Sequence, residues 1–253
     1  MKYLVKLMLV LTFTSVLSGC ALFSGDNREA DIPETVLWEE ANQFLTDNNF
    51  DLATQKLEAL ESRYPFGRFS EQAQLELIYA YHKQGKAEEA IAAADRFIRL
   101  HPQHENIDYA YYLRGLTRFL EDQSIINRFL PTDMSRRDPG AAKESFEDFA
   151  ILLDRYPSSQ HAPDARKRMI FLRNQLAQYE IHVARYYIKR GALLAATNRG
   201  RYVLENFAQS TAVADALAVM VYGYTELGLT DLAANSQSVL EQNYPGYPGL
   251  AVE

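Results

Sequence analysis

One pattern constrains the fold more than any other: helix-like apolar runs that halt at an aromatic or histidine residue followed by proline. The stops are Tyr64-Pro65, His101-Pro102, Tyr156-Pro157 and Tyr244-Pro245, and Phe207-Ala208 falls in the same register. Eleven residues before each stop stands a small residue: Ala53, Ala90, Ser145, Ala196 and Ala233. Five residues further back stand Asn48, Gly85, Gly140, Gly191 and Gly228, types that tolerate the left-handed backbone ending a helix. Eight residues beyond Pro65, Pro102, Pro157 and Ala208 come Ala73, Ala110, Ala165 and Ala216, and Pro33 and Ala41 stand in the same relation at the front. Each unit therefore reads as a helix, a turn at Gly or Asn, a second helix with a small residue where helices touch, and a stop that proline prevents from continuing.

Five such units predict an all-α chain of about ten helices. Leu60, Phe97, Leu152, Val203 and Leu240 fill one slot of the second helices, and Phe44, Tyr81, Tyr187 and Tyr224 one of the first, which is packing rather than a cofactor box. The pattern resembles the tetratricopeptide repeat, with a unit of 37 residues, a little longer than usual. Helix pairs of that kind stack into a curved solenoid with an extended binding surface. The stops lie 37, 55, 51 and 37 residues apart, so the third and fourth units carry 18 and 14 extra residues. The first excess is an insertion at 123–140, "QSIINRFLPTDMSRRDPG", read as a loop that is either functional or a tolerated surface addition. The second has no Pro or Gly between Pro163 and Gly191 and approximates four helical turns, about 21 Å, which predicts one long helix near 163–189.

Charge is segregated along the chain. Residues 160–201 hold nine Lys or Arg, among them Arg185, Lys189, Arg190 and Arg199, against two acids, in a protein whose total is −7. A local +7 leaves −14 on the remainder, which suggests an acidic protein partner for the C-terminal half or, alternatively, a solvated helix face. The acidic total argues against nucleic acid as a partner.

The first residues differ from the rest. Lys2 and Lys6 precede an apolar run, Leu7 to Leu17, too short for a good membrane span, and Leu17-Ser18-Gly19-Cys20 follows. That ending resembles the bacterial lipobox, in which the cysteine is lipidated and becomes the mature N-terminus; the alternative is a signal-peptidase site with an incidental cysteine. Cys20 is the single cysteine of the chain, which removes disulfides and thiolate metal clusters. By the same resemblance, Ala21 after the cysteine implies sorting to the outer membrane. The expected organisation is a signal peptide at 1–19, a lipidated N-terminus and tether at 20–32, repeats one to three at 33–157, repeats four and five at 158–245, and a tail at 246–253.

No phosphate-binding loop, serine-nucleophile elbow or zinc-protease motif is present, and the five histidines are scattered. His101 and His104 flank a repeat turn, where capping or exposure explains them better than a metal does. No nucleophile stands at a diagnostic spacing from a base, so no catalytic or metal-binding residue is expected, and no cofactor beyond covalent lipid on Cys20.

The run "SRYPFGRFSEQAQLELIYAYHKQGKAEEAIAAADRFIRLHP", with "NIDYAYYLRGLT", "RRDP", "DFAILLDRYPSSQ" and "LAQYEIHVARYYIKRGALLAATNR", resembles the BamD (ComL-like) lipoproteins of the outer-membrane β-barrel assembly machinery. The resemblance implies a lipid-anchored scaffold on the periplasmic face of the outer membrane, not an enzyme. It implies as partners a barrel-forming subunit, docked on the C-terminal repeats, other lipoproteins of the complex, and unfolded outer-membrane proteins met by the N-terminal repeats. Asn198-Arg199 matches the family's pattern, and by that resemblance Arg199 is the foremost residue for the subunit contact, with Asn198, Arg185, Lys189 and Arg190 beside it. Tyr79, Tyr81, Tyr109 and Tyr112 are candidates for lining a substrate groove, core packing being the other reading. A scaffold for a different client, a secretin pilotin or a peptidoglycan-associated competence factor, is the alternative function.

Overall fold

The computed structural model describes residues 32–122 and 138–250, all helix and turn. Ten helices are present among them: α1 Glu34–Thr46, α2 Phe50–Arg63, α3 Ser70–Gln84, α4 Ala87–Leu100, α5 Ile107–Asp122, α6 Gly140–Arg155, α7 Ala162–Lys189, α8 Leu193–Asn206, α9 Val213–Glu226 and α10 Thr230–Asn243. Consecutive helices pack on one another along the chain, so they form five pairs stacked in series. The first helices of neighbouring pairs also meet directly, α3 with α5 and α7 with α9, and no comparable contact joins the second helices. The face built by first helices is thus the tighter, inner face of a tetratricopeptide-like solenoid.

The repeat arithmetic has a local physical cause. At four of the five turns a residue one or two past the end of the first helix is left-handed: Asn48 at φ 57°, Gly85 at 73°, Gly191 at 72° and Gly228 at 71°. In each, the next residue's N–H reaches back to the aromatic of the recurrent slot, from Asn49, Lys86, Ala192 and Leu229 to the carbonyls of Phe44, Tyr81, Tyr187 and Tyr224, at 2.8–3.0 Å. That is the Schellman arrangement, which satisfies carbonyls a helix end leaves free. The second helices stop uniformly: Tyr64, His101, Tyr156, Phe207 and Tyr244 each donate an N–H to the slot residue four back, at 2.8 Å, then leave helical geometry. Steric pressure from the following proline explains four of these exits; Phe207, followed by Ala208, makes the same exit without it.

Gly140 departs from the expectation. It is the first residue of α6 and has no positive φ. In this pair α5 ends at Asp122 and α6 begins only at 140, so no tight turn has to be made there. The intervening residues 123–137, with most of the expected loop, lie outside the described residues, as do the expected signal peptide, Cys20, the expected tether up to residue 31 and the last three residues of the tail.

The small residues sit where helices cross. Ala41, Ala73, Ala110, Ala165 and Ala216, and Ala53, Ala90, Ser145 and Ala196, are wholly buried, with Ala233 at 9% exposure in the last pair. Close approach goes furthest between α8 and α9: a Cβ at Gly200 would stand 2.7 Å from the Ala216 carbonyl oxygen. Leu60, Phe97, Leu152 and Val203 are also fully buried.

The long helix forms as expected, over Ala162–Lys189, 28 residues or about 42 Å. Its added turns do not project into solvent. Leu172, Leu176, Ala177 and Ile181 join Phe119 and Phe149 on one side and Val203 and Phe207 on the other in a single apolar cluster. A buried ion cluster braces the N-terminal end of this core. Asp148 on α6, 2% exposed, accepts from Arg114 Nε at 2.9 Å and Arg118 Nη1 at 2.5 Å, and Arg114 also pairs with Asp95 on α4.

Candidate functional site

Two surfaces emerge, one in each half of the stack. The first is on the inner face, where α3 meets α5. A cavity of about 450 Å³ opens there, walled by Gln72, Leu75 and Glu76 of α3, by Glu105, Asn106, Asp108 and Tyr109 at the start of α5, and by Tyr156 and Ser158 to His161 before α7. Three carboxylates line it, Glu76 from α3 and Glu105 and Asp108 from the start of α5, and no Lys or Arg does. Burial pushes the Glu76 carboxyl above its usual value. Such a cavity favours a basic or aromatic side chain of an incoming polypeptide over an acidic one.

The sequence-predicted tyrosines divide. Tyr109 and Tyr112 come together on the His161 ring, with centroids 5.1 Å and 4.4 Å away, both stacked. Tyr112 donates its hydroxyl to Asp164 Oδ2 at 2.8 Å. Burial would raise the Asp164 carboxyl, but its hydrogen bonds from Arg168 and Tyr112 outweigh that and hold it below the usual range. The His161 ring is buried enough to be held below the usual imidazole value despite Asp108 and Asp164 nearby. Tyr79 lies further along α3, edge-on to Phe50 at 5.9 Å, with the Lys83 ammonium over both rings. Tyr81 turns its hydroxyl the other way, donating to Glu58 on α2 at 2.5 Å, while its ring packs both on the first-pair core and on the cluster that Tyr79, Tyr109 and Tyr112 also border. Phe50 and His161 were not among the expected groove residues, because both stand at helix starts that the tyrosine count on first helices does not reach.

The second surface is the turn between α7 and α8 and the start of α8. Lys189 and Arg190 are exposed at the end of α7, the Arg190 guanidinium lying over the Tyr186 ring at 5.4 Å. Tyr186 is 55% exposed and Leu194 60%, so aromatic, aliphatic and cationic groups share this corner. Tyr and Arg are among the residue types that most often anchor interfaces. The remaining candidates are engaged within the chain. Arg199 Nη1 pairs with Glu180 Oε2 at 2.9 Å, tying α8 to α7. Arg185 Nη2 pairs with Asp215 Oδ1 on α9 at 3.3 Å. Asn198 is exposed and accepts from Arg201 at 2.8 Å. Arg168 pairs with Asp164 and Arg201 with Glu205 as well; Asp164 and Glu180 are already counted in the +7, so only Asp215 and Glu205 bring in charge from outside the stretch, and it stays basic.

Among the described residues no group of His, Cys, Asp and Glu is placed to hold a metal ion, and no helix is long and apolar enough to cross a membrane.

The family described as YfiO, outer membrane lipoprotein, matches residues 30–240. The chain is 42% identical to the outer membrane protein assembly factor BamD of Neisseria meningitidis serogroup A, over 97% of this chain and 93% of that one. It is 40% identical to the Xylella fastidiosa 9a5c protein of the same name, over 96% and 83%, and 39% identical to that of Vibrio cholerae, over 90% and 94%. Among solved structures, the crystal structure of MamA protein is 15% identical with a TM-score of 0.41, covering 87% of this chain and 98% of that chain.

Proposed function

Because the chain belongs to the BamD family of outer-membrane protein assembly factors, we propose that it is a non-catalytic scaffold with two working ends, holding a barrel-forming subunit at one and an unfolded barrel segment at the other. Near-full-length identity to named assembly factors carries this reading. The geometry supports its division of labour: the aromatic, acidic cavity lies between the second and third pairs, and the exposed Tyr186, Lys189, Arg190 and Leu194 corner lies in the fourth. An extended strand presents side chains alternately, and those of one face would enter the cavity against Tyr109 while its backbone runs along the inner face. The subunit would seat on the α7–α8 corner, with the Arg190–Tyr186 stack as its anchor and Arg199 beside it.

Cys20, lipidated, would hold the scaffold to the periplasmic face of the outer membrane. Acylation at that point leaves 12 residues before Pro33 as a tether. The Ile32 carbonyl accepts the Tyr64 hydroxyl at 3.0 Å, which pins the far end of the tether to the first pair.

Affinity purification of the full chain from detergent-solubilised outer membranes tests the reading. A β-barrel protein with its own periplasmic region should be the main companion. A secretin or cell-wall fragments in its place would overturn it.

A further inference from the structure

The residues after α10 do not trail away. Tyr244-Pro245-Gly246-Tyr247-Pro248-Gly249-Leu250 repeats a Tyr-Pro-Gly triplet, in which the prolines bar helix and the glycines take the left-handed region, Gly246 at φ 82° and Gly249 at 89°. The two turns fold the segment back onto the inner face, between α7 and α9. There the Tyr247 hydroxyl donates to Asp215 Oδ1, the same oxygen that Arg185 holds at 3.3 Å. Leu250 packs against two apolar clusters at once, one containing Leu217 of α9 and one containing Ile188 of α7. Only these two side chains of the segment are partly buried; Tyr244 to Gly246 and Pro248 to Gly249 are exposed.

We infer that residues 244–250 are an intramolecular occupant of the α7–α9 groove, covering a surface that accepts an extended polypeptide with an aromatic hydroxyl and an aliphatic side chain three residues apart. The groove supplies one feature for each: a carboxylate already oriented by Arg185 for the hydroxyl, and an apolar seat spanning two helices for the aliphatic group. A segment gripped by two side chains, with exposed Pro-Gly backbone between them, is held firmly by proximity and weakly by contact. A competing segment of like chemistry therefore displaces it without disturbing the helices. That the competitor belongs to the barrel-forming subunit rests on the reading above; that the groove is a peptide seat does not.

The test uses the full mature chain with Cys20→Ser, alone and with Tyr247→Ala and Leu250→Ala together, titrated with a synthetic peptide of residues 244–253 up to millimolar concentration. Amide NMR signals of α7 and α9 around Arg185 and Asp215 should shift in the double variant, with a response at least tenfold smaller when the native tail is in place. No shift in a double variant of native helicity, or equal shifts in both chains, overturns the inference. Tyr247→Phe, which removes one oxygen, should respond at an intermediate level and serves if the double variant misfolds. Binding of the subunit's periplasmic region to the same chains addresses the docking reading separately: uptake of the peptide without the subunit would sink that reading and sustain the groove.

Discussion

Reversing the charge at Arg199 separates its two possible duties, support of the fold and contact with a partner. Arg199 is 40% exposed and Glu180, its partner at 2.9 Å, is 12% exposed, so the pair lies between surface and interior. Burial alone would lower the guanidinium's pKa, but the Glu180 carboxylate raises it above its usual value. Deleting a pair of this kind costs about 1–2 kcal/mol, between the ~0.2–1 of exposed pairs and the ~3–5 of buried ones. Arg199→Glu adds repulsion: two like charges about 4 Å apart at an effective dielectric of ~40 repel by about 2 kcal/mol. The expected loss is about 3–4 kcal/mol, or roughly 6–16 °C in Tm for a chain of this size. Thermal unfolding followed by far-UV circular dichroism reads it directly. Glu180→Arg combined with Arg199→Glu restores the attraction and should recover most of the loss. A single variant that melts within 1 °C of the native chain refutes the electrostatic argument. The swapped chain then decides the functional duty: if it is stable yet fails to co-purify with the barrel-forming subunit, Arg199 touches the partner. Restored co-purification would confine Arg199 to holding α7 and α8 together.

Other perturbations have equally definite outcomes. Gly200→Ala forces α8 away from the Ala216 carbonyl and should cost about 1–3 kcal/mol in urea unfolding; an unchanged midpoint would mean the crossing is looser than described. Glu76, whose carboxyl is raised by burial from a model-compound value of 4.5, lends stability that is complete below that value and is lost as pH rises through its folded pKa. Glu76→Gln should therefore raise Tm at neutral pH, with the gain vanishing toward acid; a gain that persists below pH 4.5 would contradict this sign. Tyr109→Ala, which opens the cavity wall, should weaken capture of an unfolded barrel segment in crosslinking while leaving subunit co-purification intact, and equal loss of both would refute the division into two ends. Cys20→Ser should release the chain from membranes into the soluble periplasmic fraction, and retention in the membrane would refute lipidation there.

The repeat was open to reading because its determinants are local. A left-handed residue, a small residue and a stop each leave a mark at fixed distance along the chain, and helices follow from them whatever the tertiary context. Gly140 shows the limit of that logic: the residue type was right, but a glycine ends a helix only when the chain must turn at once, and after a long insertion it merely starts the next one. The candidate residues were harder because charge and exposure depend on partners far away in sequence. Arg185 meets Asp215 thirty residues on and Arg199 meets Glu180 nineteen back, pairings that depend on how α7, α8 and α9 are aligned. Tyr81 shares a helix with Tyr79 yet turns its hydroxyl to α2, since one helix carries aromatics on more than one of its sides. The tail gave no periodic signal at all; its placement comes from two glycines and two anchoring side chains.

The 28-residue α7 has a mechanical consequence. Because one uninterrupted rod is cemented into both the third and the fifth pairs by the same apolar cluster, the chain has no joint at its middle. It is built as a fixed-gauge calliper rather than a pair of tongs: the interval between the α3–α5 cavity and the α7–α8 corner is set at folding.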